Sequence, residues 1–298
     1  MNISLQNKVP QVFLIIFLAF IWGSSFLMMK RGLIAYSADE MAALRIVIAC
    51  LSLLPFAIKS IKTLSTKHGK WILVAAFAGN GVPAFLFAYA QTVISSSLSG
   101  MLNSLTPLFA LLIAVLFFNV PVKPIKIIGV LIGLAGTIAL VYTSNSGAGD
   151  SNYWYSLLVL GATGCYGLSV NVLKEKLAEL NAVTITSLSF LTIAPPCLIY
   201  LLVATRTIET IQTPAGLNSL CYIILLAVFG TALAVVLFNK LIKHTSSVFA
   251  SSVTYLIPIV AVFWGFLDGE VITWIQLGLF TIIISGVSLV MRSDNPTT

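Results

Sequence analysis

Charge is what this sequence has least of. Of 298 residues 8% are Asp, Glu, Lys or Arg and 59% are hydrophobic, with a mean hydropathy of +1.05. A soluble domain carries roughly 25% charged residues to cover its surface, so a water-soluble fold is excluded. Histidine is nearly absent: His68 and His244 are the two, and neither belongs to a His-Glu-x-x-His helix. A Gly-x-Ser-x-Gly elbow is missing as well, so the signatures of zinc and serine hydrolases are lacking. So are a Gly-x-x-x-x-Gly-Lys-[Ser/Thr] loop and any soluble nucleotide-binding stretch, which sets aside an ATP-driven pump. Cys50, Cys165, Cys197 and Cys221 form no Cys-x-x-Cys pair. They all fall in apolar runs and read as small buried hydrophobes. Nothing calls for a metal or cofactor.

What is present is apolar sequence in long runs. Ten of them lie near 12–29, 41–58, 71–90, 97–118, 125–142, 155–173, 183–204, 217–238, 247–267 and 271–291. About 20 apolar residues cross a bilayer as a helix. These runs lack the alternation of an outer-membrane barrel, so the chain reads as an all-α membrane protein. The first run is too long for a signal-peptide core and has a later counterpart, so it belongs to the fold. Linkers are short. The Gly- and Ser-rich stretch "TSNSGAGDSN" at 143–152 is the natural joint between halves 1–148 and 149–298.

Basic residues set the orientation. With the amino terminus inside, twelve of the sixteen Lys and Arg residues fall on the cytoplasmic side, while Lys30, Arg31 and Arg206 fall outside and Arg45 lies within a span. That bias predicts both termini in the cytoplasm of a multi-pass inner-membrane protein. The net charge of +7 then reflects topology and calls for no nucleic-acid partner.

The chain repeats itself. At an offset of 151 residues Ala76 meets Ala227, Gly79 meets Gly230, Phe87 meets Phe238, Leu105 meets Leu256 and Pro107 meets Pro258; at 144, Gly23 meets Gly167 and Trp22 faces Tyr166. A five-span unit that begins inside ends outside, so its copy runs upside down. Ten transmembrane helices therefore predict two inverted five-helix repeats, an arrangement common in secondary transporters.

Several residues are candidates for a pathway between the halves. Asn103 lies on a polar stripe with Ser96, Ser99 and Thr106; the ninth run places Ser247, Ser251, Thr254, Tyr255 and Pro258 likewise. Close helix packing would use the same serines, and both readings stand for them. An amide or phenol facing lipid is costly, which favours the pathway for Asn103 and Tyr255, so alanine at either is expected to cut flux. Asn80 and Phe87 in the third run match Thr231 and Phe238 in the eighth. Trp22, with Ser25 a turn on, and Tyr166 sit deep in their runs, as stacking walls or as packing. Pro83, Pro107 and Pro258 are candidate hinges or static kinks. Arg45 costs about 2.5–3.5 kcal/mol at the bilayer centre. It either snorkels outward toward Asp39 and Glu40 or touches substrate. No Asp or Glu lies deep in a run, so uncoupled transport or exchange is expected over a proton relay. Gly129, Gly133 and Gly136, with Gly278 and Gly286, suit close helix contacts or a homodimer face.

The "WGSSF" of Trp22–Phe26, the "AALR" ending at Arg45 and "YLIPIVAVFWGFLDGE" from Tyr255 to Glu270 resemble the EamA-type branch of the drug/metabolite transporter superfamily. The likeness covers nearly the whole chain. It implies ten helices in two five-helix halves, with the fifth and tenth peripheral. It also implies export of small metabolites, amino acids or related compounds, through a central cavity. Where the second half has "DGE", the first has "FFN" ending at Asn119, without the acid common in that family. The alternatives are a proton-coupled antiporter, a channel or structural subunit, and an intramembrane enzyme.

Overall fold

Inside hydrocarbon every backbone N–H and C=O must find its partner within the protein. The described residues meet that demand with helices alone. A computed structural model describes residues 8–62, 66–118, 123–145, 151–244 and 253–292. The helices are α1 (Lys8–Gly32), α2 (Ala38–Ile61), α3 (Thr66–Ala76), α4 (Val82–Ala90), α5 (Ser96–Asn103), α6 (Thr106–Phe118) and α7 (Pro124–Asn145). They continue with α8 (Ser151–Lys176), α9 (Ala182–Val203), α10 (Thr207–Ile211), α11 (Pro214–Leu225), α12 (Ala234–His244), α13 (Val253–Leu267) and α14 (Trp274–Arg292). Ser246, Ser247, Ser251, Asn119, both termini and the boundary at 148/149 lie outside the described residues.

Eight helical stretches are long and apolar enough to cross a membrane, and the shorter apolar helices Val253–Leu267 and Trp274–Val290 lie within the ninth and tenth expected ranges. The third and eighth stretches are not plain α-helix. Wider π turns at Phe77–Gly81 and Leu226–Leu233 join α3 to α4 and α11 to α12. At the first, Pro83 has no N–H to give the carbonyl of Gly79, so the ladder shifts there. The fourth stretch is broken: Ser104 and Leu105 are a turn, and Pro107 sits in the first turn of α6. The expectation of a mid-helix Pro107 is therefore corrected, because proline at 107 cannot bond the Asn103 carbonyl and the chain starts a new helix instead. Pro258 does lie inside α13.

Caps fix where the helices begin. The Ser37 hydroxyl accepts from Glu40 N at 3.3 Å while Glu40 Oε2 accepts from Ser37 N at 3.0 Å, a reciprocal cap on α2. Asn181, 144 positions on, caps α9 by accepting from Thr184 N at 2.7 Å.

The helices pack as related pairs: α2 on α9, α7 on α14, α1 on α13, and α8 on α4, α5 and α6. Polar atoms within the bundle tie these contacts. Trp264 Nε1 donates to Ser24 Oγ at 2.8 Å between α13 and α1, and Asn171 Nδ2 donates to the Ala110 carbonyl at 2.9 Å between α8 and α6. Cys50 and Cys197 are buried, but Cys221 is exposed on α11, correcting the expectation that all four cysteines are interior. The reason is geometric: α11 presents one face to the bundle, and an apolar thiol on the other face costs nothing in lipid.

The glycine stripe is used inside the chain. A Cβ on Gly286 would lie 2.6 Å from the Gly129 carbonyl oxygen, whereas one on Gly278 would meet nothing within 4 Å. Gly286→Ala should lower stability by about 1–3 kcal/mol through forced separation of α7 and α14. Gly278→Ala should not lower it, since alanine is the better helix former. Thermal unfolding of both variants in detergent checks this, and equal melting temperatures would contradict it.

Candidate functional site

A cavity of about 180 Å³ lies inside the bundle, lined by α1, α2, the two π-containing stretches, the α5–α6 break, α8, α9 and α13. No residue of α7 or α14 lines it. Trp22, Ser25, Arg45, Asn80, Phe87, Asn103, Tyr166, Thr231, Phe238 and Thr254 all line it. Tyr255 does not; it packs partly buried against the core. Neighbours on a helix point about 100° apart, so with Thr254 turned to the cavity Tyr255 is turned away. Of the three prolines none lines the cavity, though Pro83 and Pro107 lie where the helices beside it change course.

Rings form much of the wall. Trp22 meets Phe238 edge-on with centroids 5.0 Å apart, Phe26 meets Phe87 edge-on at 5.7 Å, and Phe87 stacks on Tyr166 at 6.0 Å. Trp22 Nε1 donates to the Gly230 carbonyl at 3.0 Å. That carbonyl belongs to the second π turn, where an irregular ladder offers an acceptor to a side chain. The π turns also require glycine at close approaches: a Cβ on Gly230 would lie 2.6 Å from Ser25 Oγ, and Gly79 meets Ser169 Oγ in the same way.

Arg45 lies deep in the protein yet keeps part of its surface open to the cavity. Its Nε donates to Thr231 Oγ1 at 2.7 Å, and Tyr166 lines the same cavity beside it. Thr231 in turn donates to the Leu226 carbonyl at 3.0 Å, five residues back, a bond the π turn provides. The snorkelling alternative is corrected here. Asp39 accepts instead from the Tyr89 hydroxyl at 2.6 Å, and Glu40 accepts from Thr207 Oγ1 at 2.9 Å, so neither acid draws Arg45 outward. Among the described residues Arg45 is the one charged side chain lining the cavity.

The lining comes in matched positions. Trp22 and Tyr166, Ser25 and Ser169, and Arg45 and Ser189 are each 144 apart. Gly79 and Gly230, Asn80 and Thr231, Phe87 and Phe238, and Asn103 and Thr254 are each 151 apart. Ser169 and Ser189 escaped the sequence reading, although the 144-residue offset that links Trp22 to Tyr166 points to both. Thr186 and Asn239, joined by a 3.1 Å bond from Nδ2 to Oγ1, also line the cavity and gave no comparable signal.

One end of the bundle is fastened by a charged clasp. Glu270 Oε1 accepts from Ser96 N at 3.0 Å, Ser96 Oγ at 2.8 Å and Lys30 Nζ at 3.0 Å. Its Oε2 accepts from Ser97 N at 3.0 Å and Ser97 Oγ at 2.6 Å. Lys30 also reaches Asp268 at 2.6 Å, and Arg31 pairs with the same carboxylate. Gly269, with a φ of 81°, makes the tight turn that aims both acids at this corner. The clasp thus joins the end of α1 and the start of α5 to the loop after α13.

This geometry fits what sequence comparison returns. The EamA-like transporter family matches residues 9–142 and again residues 153–292. The chain belongs to the EamA-like transporter family. It is 26% identical over 280 residues to the uncharacterized inner membrane transporter YedA of Escherichia coli K12, covering 90% of this chain and 87% of that one. An uncharacterized transporter of Archaeoglobus fulgidus is 22% identical over 272 residues, 91% and 95% of the two chains. Protein PagO of Salmonella typhimurium is 20% identical over 297 residues, 97% and 95%. A solved crystal structure superposes with a TM-score of 0.63 at 14% identity, covering 97% of this chain and 99% of its own, and shares the fold. The protein is a multi-pass membrane protein with a transporter's role.

In this EamA-like transporter Glu270 is held as a carboxylate. Burial pushes its pKa up, but bonds from Ser97, Lys30 and Ser96 outweigh burial and bring it from 4.5 down to about 2. A depressed carboxyl stabilises the fold fully above 4.5, and the contribution is lost as pH falls through about 2. Because the corner touches solvent, the effect is about 1–2 kcal/mol. E270Q should cost that much at pH 7, and the gap from wild type should close as pH approaches 2. Unfolding in detergent across pH checks it; a gap that does not change with pH would contradict it.

Proposed function

We propose that the chain is a secondary transporter of small organic metabolites, amino acids or related compounds, working by alternating access at the central cavity. Two inverted five-helix halves, residues 1–148 and 149–298, form its walls. The observation that carries this reading is the matched lining: positions 144 or 151 apart meet around one space. The double match to one family and the pairing of α1 with α13 as α8 pairs with α5 and α6 support it. Both termini face the cytoplasm, as the basic residues favour, and the membrane is the inner one, which the relative's description as an inner membrane transporter supports. The clasp at Glu270 then closes the outer side, and from that inward-facing conformation the protein works as an exporter or facilitator.

No carboxylate is among the described lining residues, which favours uncoupled transport or exchange over proton antiport. The π turns and the α5–α6 break supply places where helices bend without losing many bonds.

Reconstituted protein and a panel of amino acids and their deaminated relatives test this. Saturable flux, accelerated by the same solute on the opposite side, is expected. N103A, which removes an amide from the wall, should reduce it at least fivefold with insertion intact. Flux that is linear in concentration with no trans effect, or product formation, would overturn the reading.

A further inference from the structure

We infer that the cavity takes a solute bearing one carboxylate and no ammonium group, anchored on Arg45; this rests on the transporter reading above and narrows its substrate. The first support is charge. Arg45 is partnered by the Thr231 hydroxyl and, among the described residues, by no acid. A guanidinium has five N–H donors in a planar fork that matches a carboxylate bidentately. The bond from Nε to Thr231 orients that fork and leaves its outer N–H groups for a ligand.

The second support is asymmetry. Most matched lining positions keep their character, as with Ser25 and Ser169 or Phe87 and Phe238, but the position matching Arg45 is Ser189. The cavity therefore holds one positive charge and no negative one among the described lining residues. A monoanion brings it to neutrality. A zwitterion leaves it positive, and an α-ammonium group, two bonds from the carboxylate, would sit beside the guanidinium with no carboxylate to receive it. A dianion would bring a second charge with no cation to meet it.

The third support is the rest of the wall. Phe26, Phe87 and Tyr166 form a run of rings beside Arg45, and Trp22 with Phe238 forms a second group. An apolar cavity of about 150 Å³ holds a benzene-sized molecule. The 180 Å³ here therefore suits one ring with a short acid arm.

A matched series tests the idea on the purified full chain: phenylacetate, phenylacetamide, phenylalanine and phenethylamine. Phenylacetate should bind at least tenfold more tightly than each of the others. R45Q should erase the preference, bringing phenylacetate and phenylacetamide within twofold of one another. R45K keeps the charge but loses the fork, and should retain a preference of at least threefold, which separates loss of charge from misfolding. Phenylalanine or phenylacetamide binding as tightly as phenylacetate, an unaltered preference in R45Q, or no binding by any of the four overturns the inference. If phenylalanine or phenylacetamide shows saturable trans-stimulated flux while phenylacetate is ignored, the inference of a carboxylate without an ammonium group falls and the transporter reading stands.

Discussion

A polar group in hydrocarbon has no water to fall back on, and the rest of this structure follows from that constraint. It confines the described backbone to helices. It turns hydroxyls onto carbonyls one turn back, as Ser24 and Ser25 do to Phe20 and Ile21 at 2.7 and 2.8 Å, so that small polar residues can sit in the bundle. It decides what happens where the ladder is irregular, since the carbonyls of Gly230 and Leu226 in the second π turn are met by Trp22 and Thr231. And it fixes Arg45, whose Nε is met by the Thr231 hydroxyl, held in place by that same turn.

On the inverted-repeat proposal, the two halves share packing and divide the chemistry. The glycines at 79 and 230 accept a serine from the opposite half in the same manner. By contrast, arginine faces serine at 45 and 189, tryptophan faces tyrosine at 22 and 166, and asparagine faces threonine at 80 and 231. The Glu270 clasp ties its corner to the start of α5 through both backbone and side-chain donors of Ser96 and Ser97. A carboxylate at a helix N-terminus is favoured by the exposed N–H groups as well as by the nearby lysine. Such a fastening comes apart as one unit, because Lys30 bridges its two carboxylates, Asp268 and Glu270.

Much of this could be read from residues alone, because hydropathy and repetition are strong signals in lipid. The ten apolar ranges overlap the helices that form, and of the positions paired by the 144 and 151 offsets Trp22 and Tyr166, Gly79 and Gly230, and Phe87 and Phe238 meet at the cavity. What could not be read depended on geometry that no pattern encodes. Periodicity could not decide which way Arg45 turns, since acids lay a turn or two away along α2; the partner that holds it comes from the second π turn. Tyr255 had the right chemistry and the wrong angle, one residue off the face that Thr254 presents. Pro107 marked a change of course, but whether it bends a helix or begins one depends on the turn at Ser104 and Leu105. Glu270 stood out only as an unmatched acid, because its partners Lys30, Ser96 and Ser97 lie over 170 residues away.

The account's central claim is that matched positions of opposed halves face one space, shut at the clasp and reachable from the other side. Single cysteines at Asn103 and Thr254, in a protein lacking its native cysteines, can be challenged with a membrane-impermeant maleimide from each face of sealed vesicles. Both should react from the face opposite Glu270 and be protected from the clasp face, and adding E270Q should raise labelling from the clasp face. Labelling from the clasp face alone with the clasp intact, or one cysteine reacting while its counterpart is silent from both sides, would contradict it.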